Sequence, residues 1–224
     1  MNGDNVKRTL WGLATPRPLR PLWTLLELGL DFEHQKVGPR SPEMDDPDFV
    51  ALNPRHLVPY YVDDQVSMGE SSAISIYLAD RYGDSLLPMP TPGTAERAML
   101  QERTMFLMME VDARLYTVRL HGDPPAGLSN IYGAAPAAVE AAKQYVDHSL
   151  QEVVRWFSDG RDYVMGERFG VVDILLTSCL DWWLLYNLIL PEPLGEYRDR
   201  IAQRPTYVAA MAQNNGIAGK PVTE

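Results

Sequence analysis

Residues 52–82 read LNPRHLVPYYVDDQVSMGESSAISIYLADRY, and the order of devices in this stretch decides the expected fold around it. Val58-Pro59 lies between the turn residues Asn53-Pro54 and the apolar run Tyr60-Tyr61-Val62. A proline entering a strand has no N–H for the ladder, so it belongs at an edge or in a turn, and an X-Pro bond there is where a cis peptide is expected. With a cis bond, the Val58 N–H and C=O point out of the sheet and pair with an extended peptide laid alongside, as in strand addition. Asp63-Asp64 then reads as a turn, and Gln65 to Met68 as a second strand. Gly69-Glu70-Ser71-Ser72 leads into Ala73 to Leu78, which is apolar at helical spacing. Ser71 or Ser72 is expected to cap that helix. The free N–H groups and positive dipole end there make an anion site, to which Ser71 adds a hydroxyl for a carboxylate. Glu70 beside it suits an ammonium group. A ligand with an α-amino-acid head and a peptide tail satisfies all three features, although each feature taken singly is a common structural device.

The order NPxxxVP, short hairpin, then E-S-x-A-I-x-x-Y-L resembles the glutathione-binding half of the glutathione transferases. Asn53, Pro54, Val58, Pro59, Glu70, Ser71, Ala73, Ile74, Tyr77 and Leu78 carry the match. The resemblance implies a cis Val58-Pro59 bond and a Glu70-Ser71 pair holding the γ-glutamyl group of glutathione.

Bulk properties narrow the alternatives. A chain of 224 residues is long enough for one large or two small domains with their own cores. The net charge of −10 argues against nucleic acid or an anionic membrane surface as the main partner, so an anionic ligand must be held by local groups. The single cysteine, Cys179, excludes an internal disulfide framework and suits a reducing compartment. The N-terminal MNGDNVKRTLWG lacks the apolar segment of a secretory signal, and no apolar run approaches the ~18 residues of a membrane span. A soluble cytoplasmic protein is expected.

Around the quoted stretch, Arg8 to Gly12 reads as a short strand, Arg20 to Leu30 as an apolar helix ended at Gly29, and Phe32 to Val37 as a second strand. The result is strand-helix-strand, a connecting segment, then strand-strand-helix: an α/β unit over residues 1–84 whose strand order resembles a thioredoxin-like fold. Residues 85–93, with Pro88, Pro90 and Pro92, read as a linker. Residues 94–224 read as an all-helical domain, with helices expected at Thr94–Leu120, Pro136–Phe157, Val171–Leu190 and one or two across Glu192–Met211. Two details here also resemble the family. Asp173 occupies the place of its S/T-x-x-D capping box, with Gly170 where the family has Ser or Thr, so only half of the box can form. Arg204-Pro205-Thr206-Tyr207 resembles its R-P-x-Y signature.

Transferases of this family use the glutathione thiol as a nucleophile. A free thiol has a pKa of ~8.5 and is mostly protonated at neutral pH, so the site must favour the thiolate. The family places a Tyr, Ser or Cys just after the first strand for this purpose. Here the loop Leu13 to Arg20 contains none of these, and Thr15 is its only hydroxyl. Thr15 is one candidate donor to sulfur; Arg17, as a nearby cation, is the other. Against both stand ordinary readings: Thr15-Pro16 as a turn, Arg17 and Arg20 as solvated charges. The missing cysteine counts against glutaredoxin-like thiol transfer, and Cys179 reads as a small core residue. His56-Leu57 replaces the family's Gly-Lys/Gln pair, so Arg55, His56 or Arg40 is left to meet the glycyl carboxylate. Met105, Met109, Tyr116 and the group Trp182-Trp183-Tyr186 are candidates for the wall of a hydrophobic electrophile pocket, with core packing as the competing role. The four histidines, His34, His56, His121 and His148, show no metal-ligand spacing.

The resemblance therefore implies a glutathione transferase with glutathione as co-substrate, no metal, a homodimeric assembly and a detoxification role. Two readings stay open beside it: another glutathione-dependent reaction (ether cleavage, dehalogenation, isomerisation or peroxide reduction), and a non-enzymatic binding or assembly protein on the same scaffold.

Overall fold

The computed structural model describes residues 6–215 of the chain. Four short strands form one mixed sheet: β1 (Thr9–Trp11), β2 (Glu33–Gln35), β3 (Tyr60–Val62) and β4 (Ser67–Met68), in the order β2-β1-β3-β4. β1 runs parallel to β2, with Trp11 opposite Gln35, and antiparallel to β3, with Trp11 opposite Tyr60. β4 is antiparallel to β3, Met68 facing Tyr61. Leu10 and Tyr61 are fully buried at the centre of the sheet.

α1 (Pro16–Glu27) links β1 to β2 and begins four residues earlier than the apolar pattern suggests, because Pro16 takes the first helical position, where a missing N–H costs nothing. It ends as expected at Gly29, which has φ +61. There the N–H of Gly29 reaches Leu26 O and the N–H of Leu30 reaches Leu25 O, a Schellman closure that frees the chain to turn into β2. The connecting segment holds an unanticipated short helix, α2 (Pro47–Leu52), started by Asp46, whose side chain accepts from the N–H groups of Asp48 and Phe49. α3 (Ser71–Tyr82) follows β4 and is tied to the β3–β4 turn through Asp63, which accepts from the hydroxyl of Tyr77 at 2.8 Å and pairs with Arg81 at 3.1 Å.

The remaining helices are α4 (Ala95–Phe106), α5 (Ala113–His121), α6 (Ser129–Tyr132), α7 (Pro136–Arg155), α8 (Val171–Leu184), α9 (Glu192–Ile201) and α10 (Pro205–Asn214). α4 runs into α5 through a π-helical stretch, Leu107–Asp112. The chain divides into two compact units, one comprising residues up to Met89 together with those from Gln203, the other Pro90 to Ala202. A sequence-order boundary puts everything from residue 94 in the helical domain, whereas the structure returns α10 to the sheet-bearing unit. The cause is a buried carboxylate. Glu27 on α1 accepts from Arg204 Nε at 2.7 Å, Arg204 Nη2 at 2.9 Å and the Thr206 hydroxyl at 2.5 Å, while Trp23 packs edge-on against Tyr207. The R-P-x-Y signature is thus the dock for α10.

In the second unit α8 is apolar on nearly all sides and forms the core. Asp173, in its first turn, is fully buried; its carboxylate accepts from the N–H groups of Val164 and Gly170, each at 2.8 Å, and from the Tyr197 hydroxyl at 2.7 Å. Gly170 has no side chain to reciprocate, so half of the capping box forms and Tyr197 of α9 supplies a further donor. Among the described residues no helix is long and apolar enough to cross a membrane.

Candidate functional site

The register of the sheet brings three segments to one of its ends. β1 leaves the sheet at Trp11, β3 enters it at Tyr60 opposite, and β4 leaves at Met68 beside Tyr61. Gly12–Thr15, Val58-Pro59 and Gly69–Ser71 therefore adjoin. The approach is close: a Cβ placed on Gly12 would come within 3.1 Å of Val58 Cβ and 3.1 Å of Pro18 Cγ, and Gly12 has φ +126, so the position suits glycine on both counts. Trp11, Val58 and Tyr60 pack against the buried cluster of Val37, Met44 and Phe49, which fixes the rim from beneath.

The Val58-Pro59 bond is cis. Asn53, buried, holds the turn ahead of it by accepting the His56 N–H through its carbonyl and donating from Nδ2 to Leu57 O at 2.7 Å. Val58's own N–H and C=O make no hydrogen bond to another described residue. They remain available to an extended peptide.

Glu70 is the cap residue of α3, with φ 66 and ψ 103, a conformation that costs a non-glycine residue energy and that clusters where structure serves a ligand. Its exposed carboxylate pairs with Arg55 at 2.9 Å. Ser71 is the first helical residue rather than the cap, and its oxygen does not cap the helix. It is buried, and it accepts a 3.1 Å hydrogen bond from Arg20 Nη1. Arg20, for which a solvated charge was the ordinary alternative, is fully buried on α1.

Thr15 caps α1 in extended conformation, and its hydroxyl makes no capping bond and no hydrogen bond to any described residue. Of the first three residues of α1 only Arg17 carries an N–H, since Pro16 and Pro18 have none, so the helix offers a thiolate less backbone help than usual. Arg17 is partly exposed in the same turn. Two contacts hold this loop from opposite sides. Gly12 C=O accepts from His34 Nε2 at 2.8 Å, which makes Nε2 the protonated ring nitrogen; burial keeps this imidazole below its ordinary pKa and therefore neutral. On the other side the Asn214 backbone C=O accepts from Ala14 N–H at 2.7 Å, and Asn214 Nδ2 donates to Thr15 O at 3.2 Å.

Residues 19–86 match the model of the glutathione S-transferase N-terminal domain, and residues 108–205 that of the C-terminal domain. A solved sphingomonad glutathione S-transferase complexed with glutathione is 30% identical, over 93% of this chain and 98% of its own, with a TM-score of 0.75. The chain belongs to the glutathione S-transferase family. A glutathione transferase from Methylococcus capsulatus is 28% identical over 94% of this chain and 100% of its own, with a TM-score of 0.77. A theta class glutathione S-transferase from Xanthomonas axonopodis pv. citri, with glutathione bound, is 25% identical over 96% and 99%, with a TM-score of 0.76.

Within this family member, the other residues singled out from sequence fall as follows. His56 and Arg40 are exposed, with φ 50 and φ 65, and the Arg40 N–H contacts Met44 Sδ. Arg40 follows β2, which is parallel to β1, so it leaves the sheet at the same end as Thr15. In the helical unit Met105 and Met109 are each 61% exposed, one turn apart. Tyr116 meets Trp182 edge-on at 6.4 Å, whereas Trp182 itself is buried and donates from Nε1 to the Tyr186 hydroxyl at 2.8 Å. Cys179 is buried, as its core reading expects. Among the described residues no three His, Cys, Asp or Glu side chains are placed to hold a metal. Sequence reasoning missed the roles of Asn214, His34 and Arg20 around the site. Only Arg20 carried a hint, as a lone charge inside the apolar run of α1.

Proposed function

We propose that this chain is a glutathione transferase that binds glutathione along Val58, Pro59, Glu70 and Ser71 and activates its thiol with Thr15. The observation that carries the reading is the meeting, at one end of the sheet, of a cis Val58-Pro59 turn, a Glu70-Ser71 helix start and an unengaged Thr15 hydroxyl. The glutathione-bound relatives named above support the ligand. The Val58 backbone pairs with the cysteinyl portion, Glu70 takes the ammonium, and Ser71 donates to the carboxylate of the γ-glutamyl group. Arg55, released from Glu70 by that ammonium, is left beside the site with Arg40 and His56 to meet the glycyl carboxylate. The thiol gives its proton to water, Thr15 donates to the resulting thiolate, and the sulfur lone pair attacks the electrophilic carbon, whose leaving group departs with the bonding pair or whose π electrons are displaced. Arg17 is the alternative activator. We assign the electrophile to a hydrophobic surface of the helical unit that includes Met105, Met109, Tyr116 and Trp182, and the assembly to a cytoplasmic homodimer.

A glutathione titration tests the reading directly. Trp11 packs, as Val58 does, against the cluster of Val37, Met44 and Phe49 and meets Tyr60 edge-on at 6.4 Å, so its fluorescence reports on the site, whereas Trp23 is fully buried against Tyr207 of α10. Saturable quenching together with thiolate absorbance at neutral pH is expected. Binding without thiolate points to a protein that holds glutathione without activating it; no binding removes the transferase reading and favours the non-enzymatic assembly protein, which the loop lacking Tyr, Ser and Cys keeps in play.

A further inference from the structure

We infer that Arg20 is a positioning residue for the ligand's carboxylate, because it forces the Ser71 hydroxyl hydrogen to point outward; this rests on the reading of Ser71 as the γ-glutamyl anchor. Arg20 is fully buried, and its Nη1 lies 3.1 Å from Ser71 Oγ. A guanidinium has five N–H donors and no acceptor, so in this contact the serine oxygen can only accept. A hydroxyl has one hydrogen, and Ser71 Oγ makes no other hydrogen bond to a described residue. The hydrogen is therefore excluded from the direction of Arg20 and left for whatever stands at the start of α3.

Without that constraint a serine in the first turn of a helix has other uses for its proton, turning it back onto a nearby carbonyl. Arg20 converts an ambivalent hydroxyl into a fixed donor. It also places a buried positive charge behind the anion site, on the side away from solvent, in a chain whose net charge is −10. The requirement at position 20 is then specific: a side chain that donates and cannot accept.

Three substitutions separate this from ordinary packing. Arg20→Lys keeps a donor-only cation. Arg20→Gln supplies an amide oxygen that can take the serine hydrogen. Arg20→Met removes donor and charge at similar length. Binding of glutathione is measured by calorimetry beside binding of 4-aminobutyryl-cysteinyl-glycine, which keeps the ammonium but lacks the γ-glutamyl carboxylate. Arg20→Gln and Arg20→Met are expected to weaken glutathione by about tenfold or more while leaving the decarboxylated peptide unchanged, and Arg20→Lys to stay within about threefold of the parent. Equal losses for both ligands, or parental glutathione affinity in Arg20→Gln, would overturn the inference. Ser71→Ala distinguishes the two levels of argument. If it binds glutathione like the parent, the anchor reading is what falls; if it weakens glutathione while the Arg20 variants do not, only the role of Arg20 falls. Should Arg20→Met not fold, the Gln and Lys variants decide the question between them.

Discussion

Replacing Asp173 by Ala should destabilise the chain, and the loss should shrink as pH rises. The fully buried carboxylate receives three donors: the N–H of Val164, the N–H of Gly170 and the Tyr197 hydroxyl. Each orphaned buried donor costs ~1–3 kcal/mol, which with partial relaxation and water entry makes about 3–5 kcal/mol a reasonable total. Burial pushes the carboxyl from 3.8 up to about 6, against the opposing pull of its donors. A folded pKa above the unfolded one means that the group's contribution is fully present below the unfolded value and declines as pH rises through the folded value. Over the full interval that decline is roughly 3 kcal/mol, of which roughly 1 kcal/mol falls between pH 5 and 8. The assay is thermal and urea unfolding of parent and Asp173→Ala at pH 5, 6, 7 and 8, followed by circular dichroism. For a chain of this size 1 kcal/mol moves Tm by about 2–4 °C, so a deficit of roughly 10 °C is expected, largest at pH 5. A deficit that grows with pH would show that the three donors outweigh burial and the carboxyl is depressed. A deficit under about 2 °C would refute the whole assignment.

Glu27 should behave with the opposite sign. Burial raises its carboxyl, but the bonds from Arg204, Thr206 and Trp23 prevail and hold it below the ordinary value, so its contribution is present above the unfolded pKa and lost on acidification; Glu27→Gln should cost stability at pH 7 and little at pH 3, read by urea unfolding. Ser71→Ala should weaken glutathione by roughly 1–3 kcal/mol in calorimetry with folding intact, and unchanged affinity would remove Ser71 from the site. Thr15→Val keeps the shape of the side chain and deletes the donor, so the bound thiol should titrate about one to two pH units higher with the peptide portion still bound. Ultraviolet absorbance of the thiolate measures this; a shift seen with Arg17→Ala instead would make the arginine the activator.

What could be read in advance was what the chain writes locally. A proline entering a strand, a serine after a glutamate at a helix start and a glycine at a helix end each carry their meaning within a few residues, and the cis bond at Pro59, the start of α3 and the Schellman closure at Gly29 follow. Contacts between distant segments were not legible. Glu27 and Arg204 lie 177 positions apart and Thr15 and Asn214 199, so nothing near either member announces its partner. The expected single helix over Thr94–Leu120 is interrupted for a reason that no residue type announces. Leu107–Asp112 is π-helical, and a wider turn shifts the phase of the apolar face on either side of it.

The two cations beside the Glu70-Ser71 pair differ in a way that sequence cannot express. Arg55 and Glu70 are both more than 60% exposed, so their ion pair is weak and screened, and a ligand ammonium displaces Arg55 at little cost. Arg20 is sealed under Ser71, where screening by salt does not reach and where it has already lost its hydration in the unliganded protein. Binding an anion there requires no further desolvation of the arginine. The site is thus adjustable toward solvent and fixed toward the core. On the proposed reading this division is what an acidic chain needs to hold an anionic peptide: the exposed cation gives up its partner to the ligand, while the buried one defines where the ligand's head must lie.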